Sequence, residues 1–214
     1  LKMMEEALSF TQVISLLEYV SHKMVESKEL LSHADQAIGD GDHGIGMARG
    51  FEAVLEKLKL STFSTYEDLF KNVGMTLLSN IGGAAGAIFG SLFIGVGKGF
   101  AGVESFTSQT WADALTSGLN SVIKRGGAKV GDKTMVDALV PAVETAVANV
   151  SEPLSVLTEL SYRSAQKGME KTKDYIATTG KAKTLSERSL GFRDPGAIST
   201  YLIFKFMNEF IRSL

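Results

Sequence analysis

Residues 13–24 read VISLLEYVSHKM, and their apolar side chains recur at helical spacing. The apolar positions are Val13, Leu16, Leu17, Val20 and Met24. Intervals of three and four residues place them on one face of an α-helix. A second run of the same kind follows at 135–146, and alternating strand patterns are nearly absent. The sequence therefore predicts an all-α fold.

Periodicity and capping residues together predict about eight helices. Their expected ranges are 9–34, 46–59, 65–79, 84–98, 107–124, 134–149, 154–173 and 196–213. The clearest start is Asp194-Pro195, an N-cap acid followed by proline at the first helical position. No repeat, low-complexity tract or linker interrupts the chain, so we expect residues 1–214 to form a single domain.

Composition narrows the classes of function. A net charge of -2 gives no basic footprint for nucleic acid. The chain has no cysteine, which excludes disulfides and thiolate metal sites and is compatible with a reducing compartment. The first residues carry Lys2, Glu5 and Glu6 and make a poor signal peptide. We therefore expect a cytoplasmic protein that does not bind nucleic acid.

The uncharged stretch 72–97 is long enough to cross a bilayer. Gly86 and Gly90 even have the spacing of a membrane helix-dimer motif. Its average hydrophobicity is modest, however, because glycines and polar residues interrupt it. The sequence favours a pair of buried helices over a membrane span.

A second stretch carries the chemistry: residues 35–46 read DQAIGDGDHGIG. Asp35, Asp40 and Asp42 would repel one another unless a cation neutralises them, and magnesium and calcium prefer such oxygen ligands. Glycines let the backbone turn sharply and approach a ligand closely. The helix expected to start near Gly44 and Gly46 would offer free N–H groups to a phosphate. The pattern indicates a site for a metal–nucleotide complex.

Other interpretations of this stretch fit less well. Gly39, Gly41 and Gly44 match a dinucleotide-binding fingerprint, but a helix rather than a strand precedes them. An EF-hand loop would need an acid where Gly44 stands and a glutamate where Phe51 stands. No P-loop is present. A plain turn with capping aspartates remains an alternative.

Three further segments are candidates for ligand contact. The glycines near 82–86 precede an apolar helix and permit close approach of a base or phosphate. In the loop 126–135, Lys133 offers a charge for phosphate and Met135 a surface for adenine. Taken alone, tight helix packing explains the first cluster equally well, and an ordinary interhelical loop explains the second more simply. The long polar connection 174–195 is typical of a functional lid.

Four motifs together are similar to the L subunit of bacterial dihydroxyacetone kinases. Their order and spacing agree over nearly the whole chain. The motifs are Ile38–Gly44, Gly74–Ser79 with Gly82–Ala84, Gly131–Met135, and Glu187–Gly191 with Asp194–Gly196.

The resemblance implies an antiparallel barrel of eight helices with nucleotide bound at one end. It implies that Asp35, Asp40 and Asp42 coordinate two Mg²⁺ ions and that no residue of this chain is itself catalytic. The implied ADP- or ATP-contacting residues are His43, Gly44, Ile45, Gly46, Ala84, Ala85, Gly126, Met135, Lys181, Asp194, Pro195 and Gly196. Lys181, Ala85 and Ala87 stand where the family usually has arginine, serine and proline.

The resemblance also implies partners. In the phosphotransferase-system branch, ADP stays bound as a cofactor, and a phosphohistidine on an M subunit recharges it to ATP. The terminal phosphoryl then passes to dihydroxyacetone on a K subunit. A homodimer is compatible with the sequence. The alternatives are a fatty-acid-kinase-type nucleotide-binding domain and a non-catalytic module that senses nucleotide.

Overall fold

The computed structural model describes residues 7–214, and within them the chain is almost wholly helical. Residues 1–6, with the Lys2, Glu5 and Glu6 of the signal-peptide argument, lie outside the described part. The helices are α1 (Phe10–Glu26), α2 (Lys28–Ile38), α3 (His43–Leu60), α4 (Tyr66–Ile81), α5 (Gly83–Gly99), α6 (Ser108–Gly126), α7 (Val136–Ala148), α8 (Leu154–Lys171) and α9 (Pro195–Arg212). The predicted all-α fold is confirmed.

Eight of these helices form a closed ring. Helices α3 to α9 each pack against the next in sequence, and α1 closes the ring between α9 and α3. The remaining helix, α2, is not a member of the ring and packs mainly against α3 and α9. Amphipathic faces such as that of α1, whose Val13, Leu16 and Val20 are buried, supply the core. Short connections join successive helices from α3 to α8, which makes these neighbours antiparallel.

The prediction of one helix at 9–34 is wrong, because this range contains two helices, α1 and α2, which meet at Ser27. The helix expected from residue 46 already begins at His43. Two short strands, β1 (Ala7–Leu8) and β2 (Phe106–Thr107), pair antiparallel and were not predicted. The cap predicted at Asp194 is present, since its side chain accepts a hydrogen bond from the Ala197 N–H (2.8 Å).

The uncharged stretch 72–97 falls in α4 and α5, which Gly82 separates. Its glycines let the two helices touch: a Cβ on Gly74 would lie 2.5 Å from the Ile94 backbone nitrogen and 2.8 Å from the Gly90 carbonyl oxygen. No helix among residues 7–214 has the length and apolarity needed to cross a membrane. The predicted pair of buried helices is therefore confirmed.

The connection after α8 is ordered by short turns. A 3₁₀ turn at Thr172–Asp174 follows α8 directly, and a second 3₁₀ stretch covers Lys181–Ser189. Ser186 interrupts the second stretch with a positive φ of 48°. We call residues 175–193 the lid segment. It leads back to α9 at the end of the ring where α3, α5 and α7 also begin.

Candidate nucleotide and metal site

A cavity of about 580 Å³ opens at the end of the barrel where the odd-numbered helices α3 to α9 begin. The first residues of α3, α5, α7 and α9 and the last residues of α4 and α6 line it. Helix N-termini present unpaired N–H groups and a positive dipole end. The fold therefore concentrates anion-binding groups at one end of the barrel.

Three carboxylates converge at this cavity. One oxygen each from Asp35, Asp40 and Asp42 lies within 4.8 Å of the others. Asp35 belongs to the last turn of α2 and is 8 % exposed, whereas Asp40 and Asp42 are exposed in the α2–α3 loop. A Cβ on Gly39 would lie 2.3 Å from Asp35 Oδ1, so a side chain at this position would displace the carboxylate. An all-oxygen set of this kind fits a hard dication such as Mg²⁺.

The loop that holds these acids is tied to the start of α3. The His43 backbone N–H donates to Asp35 Oδ2 (3.1 Å), and the Asp42 N–H to Asp40 Oδ1 (3.4 Å). Gly41 turns the chain between them with a φ of +80°. These contacts fix the spacing of the carboxylates before any cation binds.

Lys181 of the lid segment reaches the same carboxylates. Its Nζ lies 2.6 Å from Asp40 Oδ2 and 2.9 Å from Asp42 Oδ2. The hydrogen bond to the Lys181 ammonium, assisted by one with Asp42, lowers the pKa of Asp40 to about 2. The ammonium supplies the positive charge that the cluster requires, which is the role a metal ion would take.

The His43 imidazole faces inward. Its Nε2 lies 2.7 Å from Ser199 Oγ of α9, and burial lowers the pKa of the imidazole. The predicted contact of His43 with phosphate stays a prediction. The hydrogen bond with Ser199 uses Nε2 of the ring and does not involve Nδ1. Ser199 could not be predicted from the sequence, because it belongs to no motif; it lies on α9, five residues after Asp194.

The turn between α4 and α5 exposes its backbone. Gly82 and Gly83 both have positive φ, and a Cβ on Gly83 would meet nothing within 4 Å. Arg49 of α3 holds this turn, since its Nε donates to the Asn80 carbonyl (2.5 Å) and its Nη2 to the Ile81 carbonyl (2.5 Å). The guanidinium caps the last turn of α4 and adds positive charge to the cavity wall. The one feature of the sequence that could have indicated a role for Arg49 at the site is its position on α3, three residues after Gly46.

One part of the cavity wall is apolar. Gly126 and Met135 line the cavity, and their predicted contact with nucleotide stays a prediction. Other residues of the lining are Ile88, Phe89, Val122, Ala128 and Val136. A cavity with apolar side chains on several helices suits a flat base. These additional residues could not be predicted from the sequence, because their spacing resembles that of ordinary core positions.

Most of the predicted contact residues line the cavity. These are Asp35, Asp42, His43, Ile45, Gly46, Ala84, Ala85, Gly126, Met135, Lys181, Asp194, Pro195 and Gly196. Gly44 does not, because it packs α3 on α2: a Cβ there would lie 2.2 Å from the Lys28 carbonyl oxygen. Asp40 joins the site through the carboxylate cluster.

Lys133 also lines the cavity, and its expected contact with phosphate stays a prediction. Its side chain is only 3 % exposed, and its Nζ donates to the carbonyls of Thr172 and Phe192, both at 2.5 Å. The ammonium is therefore engaged by the backbone at the two ends of the lid segment.

Asp194 carries a shifted pKa that makes a testable prediction. Burial raises the pKa of its carboxyl from 3.8 to about 7. An acid with a higher pKa in the folded state stabilises the fold below its unfolded pKa, and the contribution is lost as pH rises towards the folded pKa. We expect the metal-free protein to lose at least about 1 kcal/mol of unfolding free energy between about pH 4 and pH 7 relative to Asp194→Asn.

The measurement is urea unfolding in EDTA across this range for both proteins. Asparagine keeps a side-chain oxygen for the cap on α9 but cannot titrate. Parallel stability profiles for the two proteins would contradict the prediction.

Comparison with known proteins agrees with this architecture. Residues 37–209 match the DAK2 domain. The chain is 37 % identical over 203 residues to the ADP-binding subunit DhaL of the PEP-dependent dihydroxyacetone kinase of Escherichia coli, covering 94 % of this chain and 97 % of that one. It is 35 % identical to the corresponding PTS-dependent subunit of Lactococcus lactis, covering 95 % and 99 %.

A solved structure shares the fold. The dihydroxyacetone kinase of C. freundii, in complex with AMP-PNP and Mg²⁺, superposes with a TM-score of 0.75 at 26 % identity. The match covers 98 % of this chain and 36 % of the longer kinase. The resemblance predicted from the four motifs is confirmed, and the chain belongs to the DAK2 domain family.

Proposed function

We propose that this chain binds Mg·ADP and Mg·ATP in the cavity and is the nucleotide-carrying subunit of a dihydroxyacetone kinase. The observation that supports this most is the convergence of Asp35, Asp40 and Asp42 at a cavity lined by helix N-termini. Phosphates need positive charge, and carboxylates alone would repel them. The arrangement suits a nucleotide whose phosphates arrive with a cation.

The described residues divide the work of binding. The three aspartates would hold two Mg²⁺ ions, which would supply the positive charge that neutralises the phosphates. The N-termini of α3, α5 and α9 present N–H groups to the phosphates. Met135 and Gly126 would flank the base on the apolar wall. Lys181 is free to exchange its contact with Asp40 for one with a phosphate oxygen.

Transfer of the phosphoryl group needs positioning more than covalent chemistry by the protein. No residue of the cavity is proposed to deprotonate the acceptor, and we assign no catalytic residue to this chain. The acceptor, dihydroxyacetone, would be held by a partner K subunit that docks over the cavity mouth. A phosphohistidine on an M subunit would then convert the bound ADP back to ATP.

Reconstitution tests this function. The chain is mixed with the K and M subunits encoded in the same genome, and dihydroxyacetone phosphate is measured. With Mg·ATP and the K subunit alone we expect about one product per loaded chain, and repeated turnover only with phosphorylated M. The control variant Asp113→Asn, far from the cavity on α6, should behave like the wild type.

The outcomes separate the alternatives. Tight Mg·ADP binding without transfer to dihydroxyacetone would contradict the kinase function and favour a nucleotide-sensing module. Transfer to a fatty acid on an acyl-binding partner would instead indicate the fatty-acid-kinase type. Repeated turnover from free ATP without M would contradict the proposed donor.

A further inference from the structure

The two ends of the lid segment are tied together where it leaves and rejoins the barrel. The Gly191 N–H donates to the Lys173 carbonyl (2.7 Å), and the Asp194 N–H donates to Thr172 Oγ1 (2.9 Å). These bonds close the lid segment into a loop with a narrow neck. The position of the loop over the cavity then depends on what holds the neck.

Lys133 holds the neck from the opposite side. It belongs to the α6–α7 loop, and its Nζ donates to the Thr172 carbonyl before the lid segment and the Phe192 carbonyl at its end. One ammonium therefore fastens both ends of the loop to a third segment of the chain. A non-glycine residue with a φ of +63°, as here, is held in place by its surroundings.

The loop that carries Lys133 is itself rigid. Asp137, at the start of α7, accepts hydrogen bonds from the Gly131 N–H (2.7 Å) and the Thr134 N–H (2.8 Å), on either side of Lys133. Asp137 is 2 % exposed, and each of its carboxylate oxygens accepts one of these two hydrogen bonds. The Lys133 side chain therefore extends from a loop whose backbone is held by hydrogen bonds on both sides of the residue.

The chemistry at this point is unusual for a purely structural contact. Among residues 7–214, Lys133 forms no ion pair, and burial lowers the pKa of its ammonium although the charges of Asp194 and Asp137 oppose this shift. Burying a charge without an ion pair costs free energy, and an apolar side chain would normally fill such a space more favourably. The groups that the ammonium holds are the two carbonyls of the neck, which belong to Thr172 and Phe192.

We propose that Lys133 is a positioning residue that clamps both ends of the lid segment and thereby sets where Lys181 lies over the carboxylates. The geometry connects them in sequence: Lys133 to the neck, the neck to the lid segment, and Lys181 of that segment to Asp40 at 2.6 Å. Its effect on the nucleotide rests on the function proposed above. Its effect on the lid segment does not.

The test compares Lys133→Met, which keeps an apolar chain of similar length, with Lys129→Met on the exposed part of the same loop. Limited trypsin digestion without nucleotide, with fragments assigned by mass, reports cleavage after Lys181, Lys183 and Arg188. We expect Lys133→Met to be cleaved there at least about tenfold faster than the wild type, because hydrogen bonds to a charged donor are strong. Lys129→Met should match the wild type.

A second arm measures dissociation of a fluorescent ADP analogue in the presence of Mg²⁺. We expect release from Lys133→Met to be about tenfold faster, with helix content by circular dichroism unchanged. If wild-type protein binds no nucleotide, the proposed function fails, whereas the digestion arm still decides the clamp.

Chemical rescue separates positioning from general stability. Because the chain has no cysteine, Lys133→Cys can be alkylated with 2-bromoethylamine in denaturant and refolded, which restores an ammonium at nearly the same distance. Alkylation with iodoacetamide supplies the neutral control. The clamp is supported if slow cleavage returns after alkylation with 2-bromoethylamine and does not return after alkylation with iodoacetamide. Wild-type cleavage and release rates in Lys133→Met, or in Lys133→Gln should the first variant not fold, would overturn it.

Discussion

Asp40→Asn is expected to weaken Mg·ADP binding by at least about a hundredfold while leaving the fold intact. Asp40 is exposed, and its contacts are Lys181, the neighbouring Asp42 N–H and the carboxylate cluster. Removing its charge therefore costs little packing. It takes away one of three carboxylates at the place where a dication would bind, and the phosphates would then lose the cation that offsets their repulsion.

Fluorescence of a labelled ADP analogue, titrated with and without Mg²⁺, measures this effect. Asp113→Asn makes the same chemical change on the exposed side of α6 and should bind as the wild type does. The thermal midpoint of both variants should stay near that of the wild type. Unchanged affinity in Asp40→Asn would remove Asp40 from the metal site.

Gly44→Ala is expected to destabilise the protein by about 3 kcal/mol, at the upper end of the cost of overpacking. The added Cβ would lie 2.2 Å from the Lys28 carbonyl oxygen and 2.6 Å from the Ser32 backbone nitrogen, both on α2. Backbone atoms cannot move aside as a side-chain tip can. Since Asp35 lies on the same helix α2, its displacement should also weaken Mg·ADP binding.

Urea unfolding gives the free energy, and the binding assay gives the second effect. Glu52→Ala introduces the same side chain at an exposed position of the same helix α3 and should change stability by less than about 0.5 kcal/mol. A Gly44→Ala protein as stable as the wild type would show that α2 and α3 do not pack as closely as described.

The helices of the barrel could be predicted from the sequence because their apolar periodicity is strong. Val13 to Met24 gave one side of α1, and Asp194-Pro195 gave the start of α9 within one residue. The break at Ser27 could not be predicted, since neither glycine nor proline marks it and Leu31 continues the apolar series. Tertiary packing of α2 against α3 and α9 decides that boundary.

The glycines of the site have two roles that the sequence does not separate. Gly44 and Gly46 predict a helix start, and α3 does begin at His43, but both also allow close contact with Lys28 of α2 and Ile81 of α4. A glycine that permits close helix packing and one that permits a turn look alike in sequence. Gly39 and Gly41, in contrast, do shape the aspartate loop as predicted.

Contacts between segments that are distant in the sequence could not be predicted from apolar periodicity. Lys181 and Asp40 are 141 residues apart, and Lys133 reaches Thr172 and Phe192 through a buried path. Only the family resemblance predicted that Lys181 belongs to the nucleotide site, and it did not predict the contact with Asp40. It gave no role to Arg49 or Ser199, whose partners became visible only with the helices packed together.

The metal-dependent nucleotide site is tested by calorimetric titration of ADP into protein that EDTA has freed of metal and nucleotide. We expect a binding isotherm with about one ADP per chain when Mg²⁺ is present, and affinity at least about a hundredfold weaker when it is withheld. Equal affinity with and without Mg²⁺ would contradict the metal-clamped site. No binding under either condition would contradict the nucleotide-binding function itself.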